Sequence, residues 1–135
     1  RVKMYTLEFP NLKNKTVAIY EPAFDGPLEE RLIAEEVKVL VCPYSLIYFR
    51  GWLLKHNIKP DVILGHLDRA NEMDDKESQY VKVYSAATDL VKVYPRRIIF
   101  TSTGFPNTES LVKLGSIIVG RDYRSVCEEL RRITF

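Results

Sequence analysis

Cysteine and histidine are the scarcest chemically versatile residues in this chain of 135 residues, with two of each. Cys42 and Cys127 both lie among apolar neighbours. Small domains held by disulfides use cysteine far more densely, so these two are expected to be buried thiols in a reducing, intracellular compartment such as the cytoplasm. Neither belongs to a CxxC pair, and His56 and His66 alone give a zinc site almost no material. No segment approaches the roughly 20 consecutive apolar residues of a membrane span. The opening RVKMYTLEF alternates like a strand and lacks the layout of a signal peptide; it has no initiator methionine, so a few residues are expected to be missing or removed. The patterns GxGxxG, GxxxxGKS/T and GxSxG are absent. That excludes the dinucleotide-binding turn, the P-loop and the serine elbow of hydrolases.

The formal net charge of +2 is too small for an electrostatic footprint on nucleic acid. Basic residues gather towards the C-terminus (Arg96, Arg97, Lys113, Arg121, Arg124, Arg131 and Arg132), but Glu109, Asp122, Glu128 and Glu129 interrupt them. A mixed, solvated surface is the expected result, so neither a nucleic acid nor a membrane is an expected partner.

Apolar residues make up 46% of the chain and charged residues 28%, the balance of a globular domain. Neither a linker nor an internal repeat divides it, and residues 1–135 are expected to form one domain. Residues 2–9 (VKMYTLEF) alternate and read as a strand. TVAIY, ending at Tyr20, is an almost continuous β-branched and aromatic run, as in a strand covered on both faces. Pro27 fits the first turn of a helix whose apolar stripe is Leu28, Leu32 and Ile33. VKVLV, ending at Val41, is the next strand. A helix follows from about Ser45 to His56, with Leu46, Phe49, Leu53 and Leu54 at core-facing spacing and Asn57 as its C-terminal stop.

A further apolar strand, VILG, leads into His66, Leu67 and Asp68, and the polar NEMDDKES reads as a long loop or, in part, a short helix. Tyr80 to Tyr84 alternates and suggests a strand, with Ser85 capping a helix that runs to about Tyr94 and turns Leu90, Val91 and Tyr94 inwards. RIIFTS is a strong strand. After it come a short helix ended by Gly115, a short strand from Ser116 to Val119, and a final helix with Asp122 as N-cap and Val126, Leu130 and Ile133 inward.

Buried strands separated by helical periodicity, with no hairpin signals between them, imply parallel strands joined by crossovers. The expected fold is α/β: a three-layer, doubly wound, mostly parallel sheet, Rossmann-like or flavodoxin-like. Ligands of such sheets bind at the carboxyl ends of the strands.

Several strand ends carry residues suited to chemistry. Gly65 to Asp68 (GHLD) ends one strand; Asp68 and Glu72, with Asp74 and Asp75, form an acidic group able to hold a magnesium ion near a phosphorylated ligand. A solvated acidic loop with a helix cap is the plainer reading. Thr101 to Phe105 (TSTGF) ends another, where Ser102, Thr103 and Gly104 can offer hydroxyls and amides to an anion, or simply satisfy local backbone donors. Arg121, in GRD beside Arg124, can clamp a phosphate or carboxylate, although an isolated arginine is more often a surface group. EPAFDG adds Glu21 and Asp25 as rim acids. In a parallel sheet all of these patches converge on one edge, where Asp68, Ser102, Thr103, Gly104 and Arg121 would meet the ligand.

Tyr48 and Trp52 stand four apart on one predicted helix and share a face. Core packing is the commoner use of such a pair; an outward orientation would make them a subunit interface, since aromatics are enriched in such patches.

The segment VLVCPYSLIYFRGWLLKHNIKPDVILGHLD resembles part of the nucleotide-binding half of the thiamin pyrophosphokinase family. Lys59, Pro60, Asp61, Gly65 and Asp68 match that family's KPD…GDxDS signature, and Thr88 and Asp89 resemble a later TD element. The resemblance implies an α/β half with magnesium-assisted pyrophosphoryl transfer to or from a nucleotide. His66 stands where the signature has its first acid and Arg69 where it has serine, and no second β-rich domain fits in this length. What it implies is therefore a diverged relative with impaired catalysis.

Two readings follow. One is a non-enzymatic interaction or structural module that self-associates through a face such as Tyr48 and Trp52. It predicts filled strand ends and an exposed apolar patch. The other is a binding site for a phosphorylated small molecule or nucleotide at the strand ends, which predicts a concave polar pocket there.

Overall fold

The computed structural model describes residues 6–20, 26–67, 76–102, 104–120 and 122–135. Its centre is a five-stranded, wholly parallel sheet built from β1 (Thr16–Tyr20), β2 (Lys38–Cys42), β3 (Val62–Leu67), β4 (Ile98–Ser102) and β5 (Ile117–Val119). The helices are α1 (Gly26–Ala34), α2 (Leu46–Lys55), α3 (Lys76–Val93), α4 (Thr108–Leu114) and α5 (Tyr123–Arg132), and a 3₁₀ turn (Pro10–Leu12) precedes β1. The strand order is β2-β1-β3-β4-β5, the flavodoxin-like form of the doubly wound sheet. No helix among the described residues is long and apolar enough to cross a membrane.

Each central strand is apolar at successive positions because both of its faces are covered. Val17, Ile19, Val62, Leu64 and Ile99 point to the face packed by α1, α5 and the 3₁₀ turn, through Leu28, Leu32, Val126, Leu130, Phe9 and Leu12. Ala18, Tyr20, Ile63, Leu67, Ile98 and Phe100 point to the other, packed by Leu46, Phe49 and Leu53 of α2, Ala87, Leu90 and Val91 of α3, and Leu111 of α4. Asp61 ties the starts of β1 and β3 together: its carboxylate accepts the Thr16 N–H at 2.8 Å, and its own N–H donates to Thr16 O at 2.8 Å.

The helix ends follow the expected chemistry. Asp122 caps α5 by accepting the Ser125 N–H at 2.8 Å, and this hydrogen bond holds its carboxyl below the usual range. Gly115 ends α4 in a left-handed conformation with φ 117°, and Asn57 follows α2 with φ 51°.

Four expectations need correction. Residues 6–9 are not a strand; Phe9 and Leu12 instead close the core through the 3₁₀ turn, and residues 1–5 lie outside the described residues. Tyr80 to Tyr84 lies inside α3, and Ser85 is a mid-helix residue. The local alternation is overridden by a longer pattern, since Tyr80, Val83, Tyr84, Ala87, Leu90 and Val91 recur at three and four residues with no glycine or proline between them. Ile33 and Leu54, both assigned to core-facing stripes, are 59% and 73% exposed, because each lies at the rim of a stripe whose other members already fill the contact.

Gly65 sits where the sheet is most crowded. Register places it beside Phe100 of β4, while β1 carries Tyr20 next in line after the Ile19–Leu64 pair. The Tyr20 ring lies across Gly65, packs against Phe49 at a centroid distance of 5.2 Å, and donates its hydroxyl hydrogen to His66 O at 3.1 Å. A methyl group on Gly65 would fall inside that ring. Gly65→Ala is therefore expected to lower stability by about 1–3 kcal/mol in urea denaturation, through overpacking. In a Tyr20→Ala background the same change should cost less than about 1 kcal/mol, because the two sites couple. Additive losses would contradict the ring-over-glycine arrangement.

Candidate functional site

The reversal of strand order falls between β1 and β3, the place where open α/β sheets form a ligand crevice. The described part of that edge is a floor of Tyr20, His66, Thr101 and Ser102. His66 and Thr101 are register partners on neighbouring parallel strands, so their side chains emerge on the same face. Both are buried, and His66 Nδ1 lies 2.8 Å from Thr101 Oγ1. Ser102 Oγ accepts the Phe105 N–H at 3.1 Å and so folds the loop after β4 back on itself, with Gly104 at φ 82°. From α3, Tyr80 donates to Pro106 O and accepts from Asn107 Nδ2, each at 3.1 Å, which fastens the same loop over buried Phe105.

Of the sequence-derived ligand residues, Ser102 and Gly104 thus lie in a turn that satisfies its own backbone. Asp68, Glu72, Asp74, Asp75, Thr103, Arg121, Glu21 and Asp25 lie outside the described residues, as does Arg69. Among the described residues no three His, Cys, Asp or Glu side chains come together as a metal-ligand group. Lys59 and Pro60 precede the Asp61 clasp, and Thr88 and Asp89 stand in the middle of α3.

The two thiols are buried. Cys42 Sγ accepts the Tyr44 N–H at 3.4 Å and donates to Tyr44 O at 3.7 Å. Burial pushes the Cys127 thiol up, against the opposing effects of Tyr123 and Arg131, and so disfavours the nucleophilic thiolate.

A buried carboxylate escaped the sequence reading. Glu35, 4% exposed at the end of α1, accepts the Phe9 N–H at 2.7 Å and pairs with Arg31 one turn earlier. Burial alone would raise its pKa; hydrogen bonds from the Phe9 N–H, Arg31 and the Glu8 N–H outweigh burial and hold it below the usual glutamate range. Its oxygens are engaged in fixing the chain before β1, a structural task. Only the positive φ of the following Glu36, 64°, hints in retrospect that the chain turns sharply there.

Among the described residues a concavity lies on the outward side of α2. A groove of about 660 Å³ is lined by Tyr44, Tyr48, Gly51, Trp52, Lys55 and His56. Tyr44 and Tyr48 are 54% and 64% exposed. Trp52 is half-buried, stacked on core Phe49 at 6.1 Å and tilted against His56 at 5.6 Å. Spacings of three and four residues put Tyr48, Gly51, Trp52 and Lys55 on one stripe of α2, and Gly51 leaves a gap in it, with no atom within 4 Å of where its side chain would be.

No protein-family model, curated protein or solved structure matches the chain.

The Glu35 arrangement has a measurable pH signature. A carboxylate whose folded pKa is depressed contributes stability above its unfolded value and loses it as pH falls through the folded one. Glu35→Gln should cost about 1–3 kcal/mol at neutral pH. Urea midpoints should show this gap closing only as pH falls below the ordinary glutamate range. A gap that stays constant, or widens towards acid, would show that Glu35 is not held ionised.

Proposed function

We propose that this domain is a non-enzymatic interaction module that self-associates through the aromatic groove of α2. The observation that carries this reading is the groove itself, a continuous aromatic concavity on the outside of a helix whose opposite side is already committed to the core. Aromatic anchors around a gap are the usual makings of a binding hot spot.

The stripe is self-complementary. Gly51 is a hole in it, and Tyr48, which lines the groove, and Leu54, 73% exposed on the adjoining flank of α2, stand three residues to either side. In an antiparallel pairing about a two-fold axis at Gly51, Tyr48 of one copy meets Leu54 of the other, and the reverse contact follows by symmetry. Charge decides the direction. Residues 37–60 carry Lys38, Arg50, Lys55 and Lys59 and no acid. A parallel pair would bring Lys55 against Lys55. The antiparallel pair separates them by about 12 Å along the helix, beyond the screening length of about 8 Å at physiological salt.

Sedimentation equilibrium tests this. The expected result is a monomer–dimer equilibrium that Tyr48→Asp and Gly51→Leu both abolish. Gly51→Leu should at the same time stabilise the monomer by about 0.5–1 kcal/mol, because it replaces glycine in an exposed helix interior with open space around it. Loss of association thereby separates from loss of folding. A wild-type chain that stays monomeric to about 1 mM would overturn the proposal.

The strand order favours a second reading, a phosphorylated ligand or nucleotide held with magnesium at the reversal point between β1 and β3. It expects a thermal shift that needs both nucleotide and magnesium and vanishes in Asp68→Ala. A flat nucleotide and magnesium screen would count against it.

A further inference from the structure

A second cavity opens at the opposite edge of the sheet. It holds about 370 Å³ and is lined by Pro95, Arg96, Arg97, Ile117, Glu129 and Arg132, with Thr134 at its margin. Arg97 immediately precedes β4, Ile117 begins β5, and Glu129 and Arg132 lie in the last turn of α5, so the cavity faces the amino ends of the strands. We infer that it binds a small phosphate-bearing anion through Arg96, Arg97 and Arg132.

Charge balance is the first argument. Three guanidinium groups line this cavity and one carboxylate faces them. Glu129 is already paired with Arg132 at 2.9 Å. Among the described residues neither Arg96 nor Arg97 has a carboxylate partner. Arg97 instead lies over the Phe135 ring at 4.3 Å, and Lys15 lies 4.6 Å from the same ring. Like charges gathered in a concave site raise each other's energy, and the concavity focuses their field on an anion.

The backbone is the second argument. Among the described residues, the non-glycine ones with positive φ are Asn14, Glu36, Asn57, Arg96 and Asn107. Asparagine tolerates that region, arginine does so with strain, and Arg96 holds φ 64° through Arg96 N–H to Gly115 O at 2.8 Å and Arg97 N–H to Tyr94 O at 3.2 Å. The turn presents two successive arginines to the cavity.

One effect opposes an anion here, namely the negative end of the α5 dipole. Asn11 weakens it by donating to two of the terminal carbonyls, Leu130 O at 2.8 Å and Ile133 O at 2.9 Å. The volume suits a small ligand and Pro95 and Ile117 offer an apolar wall, while planar guanidinium groups match phosphate oxygens in pairs. A nucleic-acid backbone would need a longer basic track than this enclosure gives.

Isothermal titration of the whole chain with inorganic pyrophosphate tests the inference, with a ten-nucleotide single-stranded DNA as the second arm. Wild type should bind pyrophosphate. Arg96→Gln and Arg132→Gln should each weaken binding about tenfold, and Glu129→Gln should tighten it by releasing Arg132. Lys113→Gln, outside the cavity, should change nothing. Arg96, Arg132 and Lys113 are exposed, so the unliganded melting temperatures of their variants should hold. No pyrophosphate binding to wild type overturns the inference. So does a Glu129→Gln variant that weakens alongside Arg132→Gln, or DNA binding that is tighter than pyrophosphate and lost in the same variants.

Discussion

Parallel strands can be joined only by crossovers that travel the length of the sheet, and every crossover has to rest on one of its faces. In this chain α1 and α5 cover one face and α2, α3 and α4 the other. The strands between them must then be apolar at every position, not at every second one, and the two cores are separated only by backbone. Where the side chains above the sheet become too large, something beneath them must shrink. Gly65 is that place: Tyr20 fills the space that a side chain there would take and anchors its hydroxyl on the next carbonyl of the same strand.

The same constraint sets where function can reside. At the carboxyl ends of β1, β3 and β4, a phenol ring, a histidine–threonine pair and a self-satisfied serine turn occupy the described positions. The helices, in contrast, spend only one side on the sheet. On α2, Leu46, Phe49 and Leu53 carry the core contact with Trp52 packed at its margin, and the outer side carries Tyr48 beside a missing side chain at Gly51, with Tyr44 just before the helix. An aromatic stripe left outside after the core is complete is surface available for association, and its basic character constrains how a second copy can approach it.

Much of the architecture was legible because its signals are local. TVAIY and RIIFTS announce covered strands by composition, Asp122 and Gly115 mark helix ends by their own chemistry, and the alternation of strands and helices fixes a parallel sheet. Signals failed where a short pattern lay inside a longer one. Tyr80 to Tyr84 alternates over five residues, but the helical repeat running on to Val91 buries more surface and wins. Leu54 failed for a related reason, since spacing alone cannot say where a stripe ends. Glu35 and Gly65 were out of reach altogether. One is defined by an amide 26 residues away and the other by a ring on a neighbouring strand, and only register brings such partners together. For the site, the shared face of Tyr48 and Trp52 was readable from spacing, whereas the outward orientation of Tyr48 and the gap at Gly51 depend on which side of α2 meets the sheet.

The antiparallel pairing of α2 about Gly51 can be tested by chemistry at that position. A disulfide forms only when two Cα atoms come within about 4.4–6.8 Å, a separation reached between crossing helices only at their point of closest approach. The two native thiols are buried and do not compete. Under mild oxidation Gly51→Cys should convert rapidly and nearly completely to a covalent dimer, while Lys113→Cys, on the exposed side of α4, should remain monomeric. Equal and slow cross-linking of the two variants would mean that no axis passes through Gly51 and would contradict self-association through this face.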